Sequence, residues 1–311
     1  MRIVFMGSPS FAVPSLEALV EARQDVRLVV TQPDRAAGRG RKLLETAVKS
    51  AARALELPVM EFDRGARRRV TEAVLAQRPD AVIVAAFGHI LRDPILSAPP
   101  YGCINVHASL LPRWRGVAPV QYAILNGDPW TGVTIMEMDA GVDTGPILAQ
   151  RGVPIAPDET ATEVIERLAG VGADLLVYTL RKLEQGLVRP IPQDDRGAVY
   201  APKLNRSLSP LRWDRDVITV HNQIRALQPY PGTATFLGDE VIRIIQAQPH
   251  SFRTATEGAG TVLAVDDEGV LVACGEGVLQ VCRLQVPGRR DLPVADFLRG
   301  FSIEPGQVFH S

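Results

Sequence analysis

The sequence predicts an α/β protein built on a doubly wound, mostly parallel sheet, followed by a second, smaller β-barrel domain. Three observations carry this. Strand-like and helix-like segments alternate from residue 1 to about 185, the pattern that parallel sheets with right-handed crossovers produce. Ala81-Val82-Ile83-Val84-Ala85-Ala86 is apolar without interruption, as a strand covered on both faces must be. Beyond a stretch rich in Gly and Pro, short β-type runs follow one another with turn residues between them. A chain of 311 residues suits two domains.

The elements follow in order. Arg2 to Met6 is a first strand, and Val13 to Ala22 is a helix entered after Pro9 and Ser10. Val26 to Thr31 reads as a strand, Leu43 to Leu55 as a helix, Val59 to Phe62 as a short strand and Arg67 to Gln77 as a helix. After the apolar strand at 81–86 comes a strand at 102–107, bounded by Pro99-Pro100 and Gly102. Val133 to Met138 and Ile147 to Val153 are two further strands. Thr160 to Leu183 is a helix: Val164, Leu168, Val171, Leu175 and Leu183 share one face, and Thr160 with Glu163 forms a capping box. Gly186, Pro190, Pro192, Gly197 and Pro202 mark a connecting stretch. Residues 1–189 are therefore expected as the first domain, 190–205 as a linker and 206–311 as the barrel domain. In the last, a helix near Val217 to Leu227 precedes strands at 233–236, 241–247, 260–265, 269–273 and 277–284.

Composition narrows the function. A net charge of −1 gives no global pull toward nucleic acid or acidic lipid, so a polyanion must be held by local basic patches. Three cysteines, none in a CxxC pair and with no His near Cys274 or Cys282 at zinc spacing, suggest reduced structural thiols and no metal. The first residues lack the apolar core of a signal peptide, and no run is long enough to span a bilayer; the expectation is a cytoplasmic protein, acting as a monomer. A phosphate loop and a GxGxxG fingerprint are both missing, which argues against a nucleotide cofactor.

Asn105-Val106-His107-Ala108-Ser109-Leu110-Leu111-Pro112 says most about chemistry. Alternation along a strand turns Asn105 and His107 to the same side, at the carboxyl end where open α/β sheets bind ligands. Ser109 to Pro112 end the strand where backbone groups can meet a ligand. Asp139-Ala140-Gly141-Val142-Asp143-Thr144-Gly145 is a glycine-flanked turn able to return the Asp143 carboxylate toward the imidazole. Asn105, His107 and Asp143 are thus the candidate catalytic set. Arg35, Arg39, Arg41 and Lys42, with Gly38 and Gly40, make a basic loop able to meet phosphates. Arg283, Arg289, Arg290 and Arg299 could continue such a track. Trp114 and Trp213 are open between stacking surface and buried packing.

With these residues assembled, the chain resembles the formyltetrahydrofolate-dependent formyltransferases almost end to end. The resemblance rests on Asn105, His107, the Ser109–Pro112 segment, Leu111-Pro112-Arg113-Trp114-Arg115-Gly116 and Asp143. It extends to Thr31-Gln32-Pro33-Asp34-Arg35 with the basic loop, Gln228-Pro229-Tyr230-Pro231-Gly232 and Asp296-Phe297-Leu298-Arg299-Gly300. One departure falls at 203–214, where more Lys and Glu is expected. The resemblance implies a Rossmann-like catalytic domain and an OB-like, tRNA-binding barrel. It implies transfer of the formyl group from N10 of 10-formyltetrahydrofolate to the α-amine of methionine on initiator tRNA. Asn105 and His107 would stabilise the oxyanion, and Asp143 would hold the imidazole, favour its charged form and relay the amine proton. The folate site would comprise Phe87, Gly88, Ile90, Leu91, Ser109, Leu110, Leu111, Pro112 and Asp139, with His89 at the surface. Arg35, Arg39, Arg41, Lys42, Arg289 and Arg290 would meet tRNA. Amino-sugar-nucleotide and glycinamide ribonucleotide formyltransferases share the central motif; a non-catalytic folate or RNA binder and an oxidoreductase fit less well.

Overall fold

A computed structural model describes residues 1–37, 42–63, 65, 67–253 and 255–311. The chain divides into two compact units: Met1–Pro119 with Trp130–Pro154 and Ile165–Ala201, and Val120–Pro129 with Ile155–Val164 and Pro202–Ser311. Segments 120–129 and 155–164, expected in the first domain, thus fall with the second unit.

The first unit is organised by strands β1 (Arg2–Gly7), β2 (Asp25–Thr31), β5 (Val59–Glu61), β6 (Ala81–Ala85), β7 (Cys103–His107), β9 (Trp130–Glu137) and β10 (Ile147–Pro154). They lie in the order β10-β9-β7-β6-β1-β2-β5. The five from β7 to β5 are parallel, while β9 pairs antiparallel with β7 and β10 antiparallel with β9. The expected mostly parallel, doubly wound sheet is what forms. Burial explains it: all five residues of β6 are buried, and β1 is buried from Ile3 onward. Val70 and Val74 of helix α3 (Arg67–Ala76) pack on Val4, Met6, Val82 and Val84. A Cβ on Gly172 of α5 (Ala161–Glu184) would meet Val106 at 2.9 Å, so glycine there lets the helix lie close on the sheet.

Two expectations change. The helix over 43–55 begins only at Ala47 (α2, Ala47–Ala54), because Thr46 caps it by accepting from the Lys49 amide. Lys42–Leu44 (β4) instead pairs antiparallel with Arg35–Ala37 (β3), and Leu43 is 73% exposed, so it was no part of an apolar helix face. The connecting stretch is not bare linker either: Tyr200–Ala201 (β11) pairs with Arg115–Gly116 (β8) of the same unit. Gly and Pro there mark irregular backbone, not an absence of contacts.

In the second unit α6 (Val217–Leu227) precedes an antiparallel sheet. Its main strands are β12 (Thr233–Leu237), β13 (Glu240–Ser251), β14 (Val262–Val265), β15 (Val270–Ala273) and β16 (Val278–Gln285), with β18 (Phe309–His310) beside β12. Thr261 bridges Val308, and the Val262 amide donates to Gln307 at 2.8 Å, so the two ends of the sheet meet and a barrel-like core closes. Trp213 is buried in that core, stacked on Phe309 with its indole N–H on Thr235. Trp114 is buried as well, and packing is the fate of both rings. Cys103 and Cys274 are buried free thiols and Cys282 is half-buried. Among the described residues no helix is long and apolar enough to cross a membrane.

Candidate active site

Strand β7 pairs Asn105 with Val84 and Met136, and His107 with Thr134. The β9–β10 hairpin returns through the Asp139–Gly145 turn, which Asp139 closes by accepting from the Gly141 amide and the Thr144 hydroxyl. Asp143 sits there with φ +51°, a left-handed backbone that a non-glycine residue holds only at a cost. Its carboxylate meets three groups: Oδ2 accepts from the Gly116 amide at 2.8 Å and lies 3.6 Å from His107 Nδ1, and Oδ1 accepts from Asn105 Nδ2 at 3.4 Å. The three candidate residues are therefore together.

They are not equally accessible. His107 is 5% exposed, and its Nε2 lies 3.0 Å from the Trp114 carbonyl. Both ring nitrogens face acceptors, so an imidazole with two protons would have a partner for each. Asn105 is half-buried and more open, and its amide hydrogens make only the long contact to Asp143 among the described residues. Of the set, the amide is the donor best placed to reach a ligand.

The residues expected around the donor substrate divide. Ser109 is buried, its hydroxyl on the Arg113 carbonyl and its own carbonyl on Thr134 Oγ1. The Leu111 amide donates to Thr134 Oγ1, and the Leu111 carbonyl accepts from Gln150. The Ser109 carbonyl and both Leu111 backbone groups, which looked free for a ligand, are thus engaged by β9 and β10. Leu110 and Pro112 are half-buried. Phe87 and Leu91 belong to the core beside Val84 and Cys103, Gly88 turns the chain at φ +76°, and Ile90 is 64% exposed. His89, expected at the surface, is instead half-buried against Phe62, with ring centroids 4.5 Å apart. Asp139 is exposed, both oxygens occupied by its own turn.

The basic positions are less uniform. Arg39 and Arg41 lie outside the described residues, and only the backbone of Arg35 and Lys42 is described. Arg289 and Arg290 are exposed in the turn after β16 and form no ion pair among the described residues. Arg283 and Arg299 pair with Asp291 and Asp296.

Sequence reasoning missed Thr134, Gln150 and Gln193. A buried Thr inside the apolar run of β9 was a signal for the first; nothing singled out Gln193 between Pro192 and two aspartates. Gln193 donates to the carbonyls of Asp143 and Gly145, at 2.9 and 2.7 Å. Its own oxygen accepts from Arg115, a 2% exposed guanidinium that also pairs with Asp195. Burial works against the Arg115 charge, but hydrogen bonds to Asp195 and Tyr200 outweigh it and hold its pKa above the usual value. No group of three His, Cys, Asp or Glu suited to a metal occurs among the described residues.

A mostly parallel sheet with an amide, an imidazole and a carboxylate gathered at one strand end is a scaffold for transfer chemistry at a carbonyl carbon. Residues 1–180 match the formyl transferase family and 203–302 match the formyl transferase C-terminal domain; the chain belongs to that family and is a formyl-transferring enzyme. Among its relatives is the methionyl-tRNA formyltransferase of Halorhodospira halophila, 48% identical over 98% of both chains. That of Aromatoleum aromaticum is 43% identical over 100% of this chain and 98% of its own. Among solved structures, an N-formyltransferase from Helicobacter canadensis in complex with folinic acid and dTDP-3-aminofucose superposes with a TM-score of 0.68 at 19% identity, over 90% of this chain and 98% of that one. HypX from Aquifex aeolicus in complex with tetrahydrofolic acid gives 0.67 at 19% identity, this chain covering 50% of that longer one. These two likenesses speak for the fold.

Proposed function

We propose that the protein transfers the formyl group of 10-formyltetrahydrofolate to the α-amine of methionine esterified to initiator tRNA, giving N-formylmethionyl-tRNA for translation initiation. Identity of 42–48% to methionyl-tRNA formyltransferases across the whole chain supports the substrate pair. The observation that carries the chemistry is Asp143, within 3.6 Å of His107 and hydrogen-bonded to Asn105.

The neutral amine attacks the formyl carbon. A C–N bond forms and the carbonyl π pair moves onto oxygen. Asn105 Nδ2 donates to that oxyanion, and His107 adds an N–H whose alternative partner is the Trp114 carbonyl. One such preorganised donor supplies ~3 kcal/mol. The amine nitrogen then gives a proton to Asp143, directly or through water. The oxyanion pair re-forms the carbonyl as the bond to N10 breaks, and Asp143 passes the proton it took, directly or through water, to N10, so that tetrahydrofolate leaves neutral and the carboxylate is regenerated. No covalent enzyme intermediate is needed, because the amine is itself the nucleophile.

The donor binds beside the Ser109–Pro112 segment, the Asp139–Gly145 turn and the Phe87–Leu91 stretch, Ile90 offering the exposed apolar surface. The RNA meets Arg35, Arg39, Arg41 and Lys42 in the first domain, and Arg289 and Arg290 in the second. The first unit, which includes Ile165–Ala201, carries the chemistry, and Pro202–Ser311 contribute RNA contacts. The enzyme works as a cytoplasmic monomer, which light scattering of the purified chain tests.

The test of function is incubation with 10-formyltetrahydrofolate and methionine-charged initiator tRNA, beside free methionine, uncharged tRNA and an amino-sugar nucleotide. Mass spectrometry should find the formyl group on the charged tRNA alone. Formylation of the sugar nucleotide with none on tRNA would overturn the assignment.

A further inference from the structure

We infer that Gln193 and Arg115 are positioning residues that act through Asp143; this rests on the formyl-transfer reading and deepens it. Gln193 uses its whole side-chain amide at one place. Its Nε2 donates to the carbonyls of Asp143 and Gly145, which flank Thr144, and its Oε1 accepts from Arg115 Nε and Nη2, at 3.1 and 2.9 Å. The turn it grips holds Asp143 at φ +51°. A strained residue keeps such a backbone only where its surroundings fix it, and two bonds to carbonyls on either side of Thr144 do that.

Arg115 does the same for Gln193. Its side chain is buried, and its guanidinium fixes which end of the Gln193 amide is the acceptor, so the N–H end must face the turn. Arg115 is itself fixed by Asp195 Oδ1 at 2.8 Å and by its own amide on the Val199 carbonyl. The next residue, Gly116, supplies the amide that holds the Asp143 carboxylate at 2.8 Å. One short strand pair, β8 with β11, therefore presents both clamps: Gly116 on the carboxylate and, through Arg115, Gln193 on the backbone behind it. Without Gln193 the carboxylate keeps its bonds to the Gly116 amide and to Asn105 but loses the backbone support that aims it at His107 Nδ1.

The test compares Gln193→Met, Gln193→Glu, Asp143→Asn and the double variant of Gln193→Met with Asp143→Asn. Gln193→Met keeps length and removes every hydrogen bond. It should lower kcat about 10- to 100-fold, with KM for the folate donor within about threefold; unpairing the buried Arg115 guanidinium from Gln193 should lower the melting temperature by several degrees while leaving the protein folded at the assay temperature. Gln193→Glu turns a carboxylate on two carbonyl oxygens; protonation restores one donor, so its rate relative to Gln193→Met should rise as pH falls. Because Gln193 acts through Asp143, the double variant should transfer at about the rate of Asp143→Asn alone. A readout free of turnover accompanies this: at one fixed pH, the NMR shifts of the His107 ring nitrogens should move in Gln193→Met in the same direction as in Asp143→Asn. Multiplying kinetic effects, or unmoved His107 ring shifts in Gln193→Met, overturns the inference. A wild type that transfers no formyl group to the charged tRNA overturns the functional reading instead, and the His107 ring shifts still decide the positioning role.

Discussion

Replacing Asp143 by Asn keeps the shape of the side chain and removes its charge. The Gly116 amide, 2.8 Å from Oδ2, can still find an acceptor oxygen, so the fold should tolerate the change. What is lost is the acceptor of the amine proton, together with the carboxylate's attraction for positive charge developing on the imidazole nitrogen 3.6 Å away. For a unit charge on each, Coulomb's law at that distance gives ~1 kcal/mol in water and ~5 kcal/mol at an effective dielectric near 20. The pair is largely buried, with side-chain exposures of 6% and 16%, which favours the upper part of that range. At ~1.4 kcal/mol per decade, single-turnover transfer should fall by roughly 10- to 10³-fold. The assay is rapid-quench formylation of charged tRNA at saturating donor, with thermal melting and folate binding as controls. A rate within threefold of wild type, with unchanged melting, would refute the assignment of Asp143.

Other outcomes follow from the packing. Gly116→Ala places a Cβ 2.5 Å from the Ala201 carbonyl at a backbone φ of +120°. It should cost about 2 kcal/mol or more, read as a drop of roughly 4–8 °C in melting temperature, with transfer impaired because the Gly116 amide leaves Asp143. Asp216 caps α6 through the Thr219 amide at 2.9 Å, so Asp216→Ala should lose about 1 kcal/mol at neutral pH in urea titration. The Thr219 hydrogen bonds hold the Asp216 pKa below its usual value. The capping contribution is therefore complete above the unfolded carboxylate's pKa and fades as pH falls through the lower folded one; the gap between wild type and variant should close in acid. Burial pushes the Cys103 and Cys274 thiols up to about 12. In native protein at pH 8, mass mapping after iodoacetamide should therefore find Cys282 labelled well ahead of both.

Much of the site was legible because strand alternation is a local rule. Asn105 and His107 share a face whatever surrounds them, and the glycines around Asp143 announce a tight turn. The parallel sheet was equally plain from the unbroken apolar run of β6. What stayed hidden depends on register between distant strands. Thr134 reaches Ser109 and Leu111 only because β9 pairs antiparallel with β7, setting Thr134 opposite His107. Gln150 reaches Leu111 from the sheet edge for the same reason. Gln193 lies 50 positions along the chain from Asp143, in a stretch whose Gly and Pro content reads as linker. Phe87 and Leu91 lie in the core just past a buried strand, where apolar residues read the same whether they pack or border a ligand. Thr46 explains the misplaced start of α2, since a good cap fixes a helix start more firmly than leucines with nothing to pack on.

The most direct measurement is the split effect of His107→Ala on chemistry and on binding. Single-turnover formyl transfer to charged tRNA should fall at least about 100-fold, while folate affinity by fluorescence titration stays within about threefold. Wild-type transfer by that variant, or a loss confined to folate binding, would contradict the placement of catalysis at the end of β7.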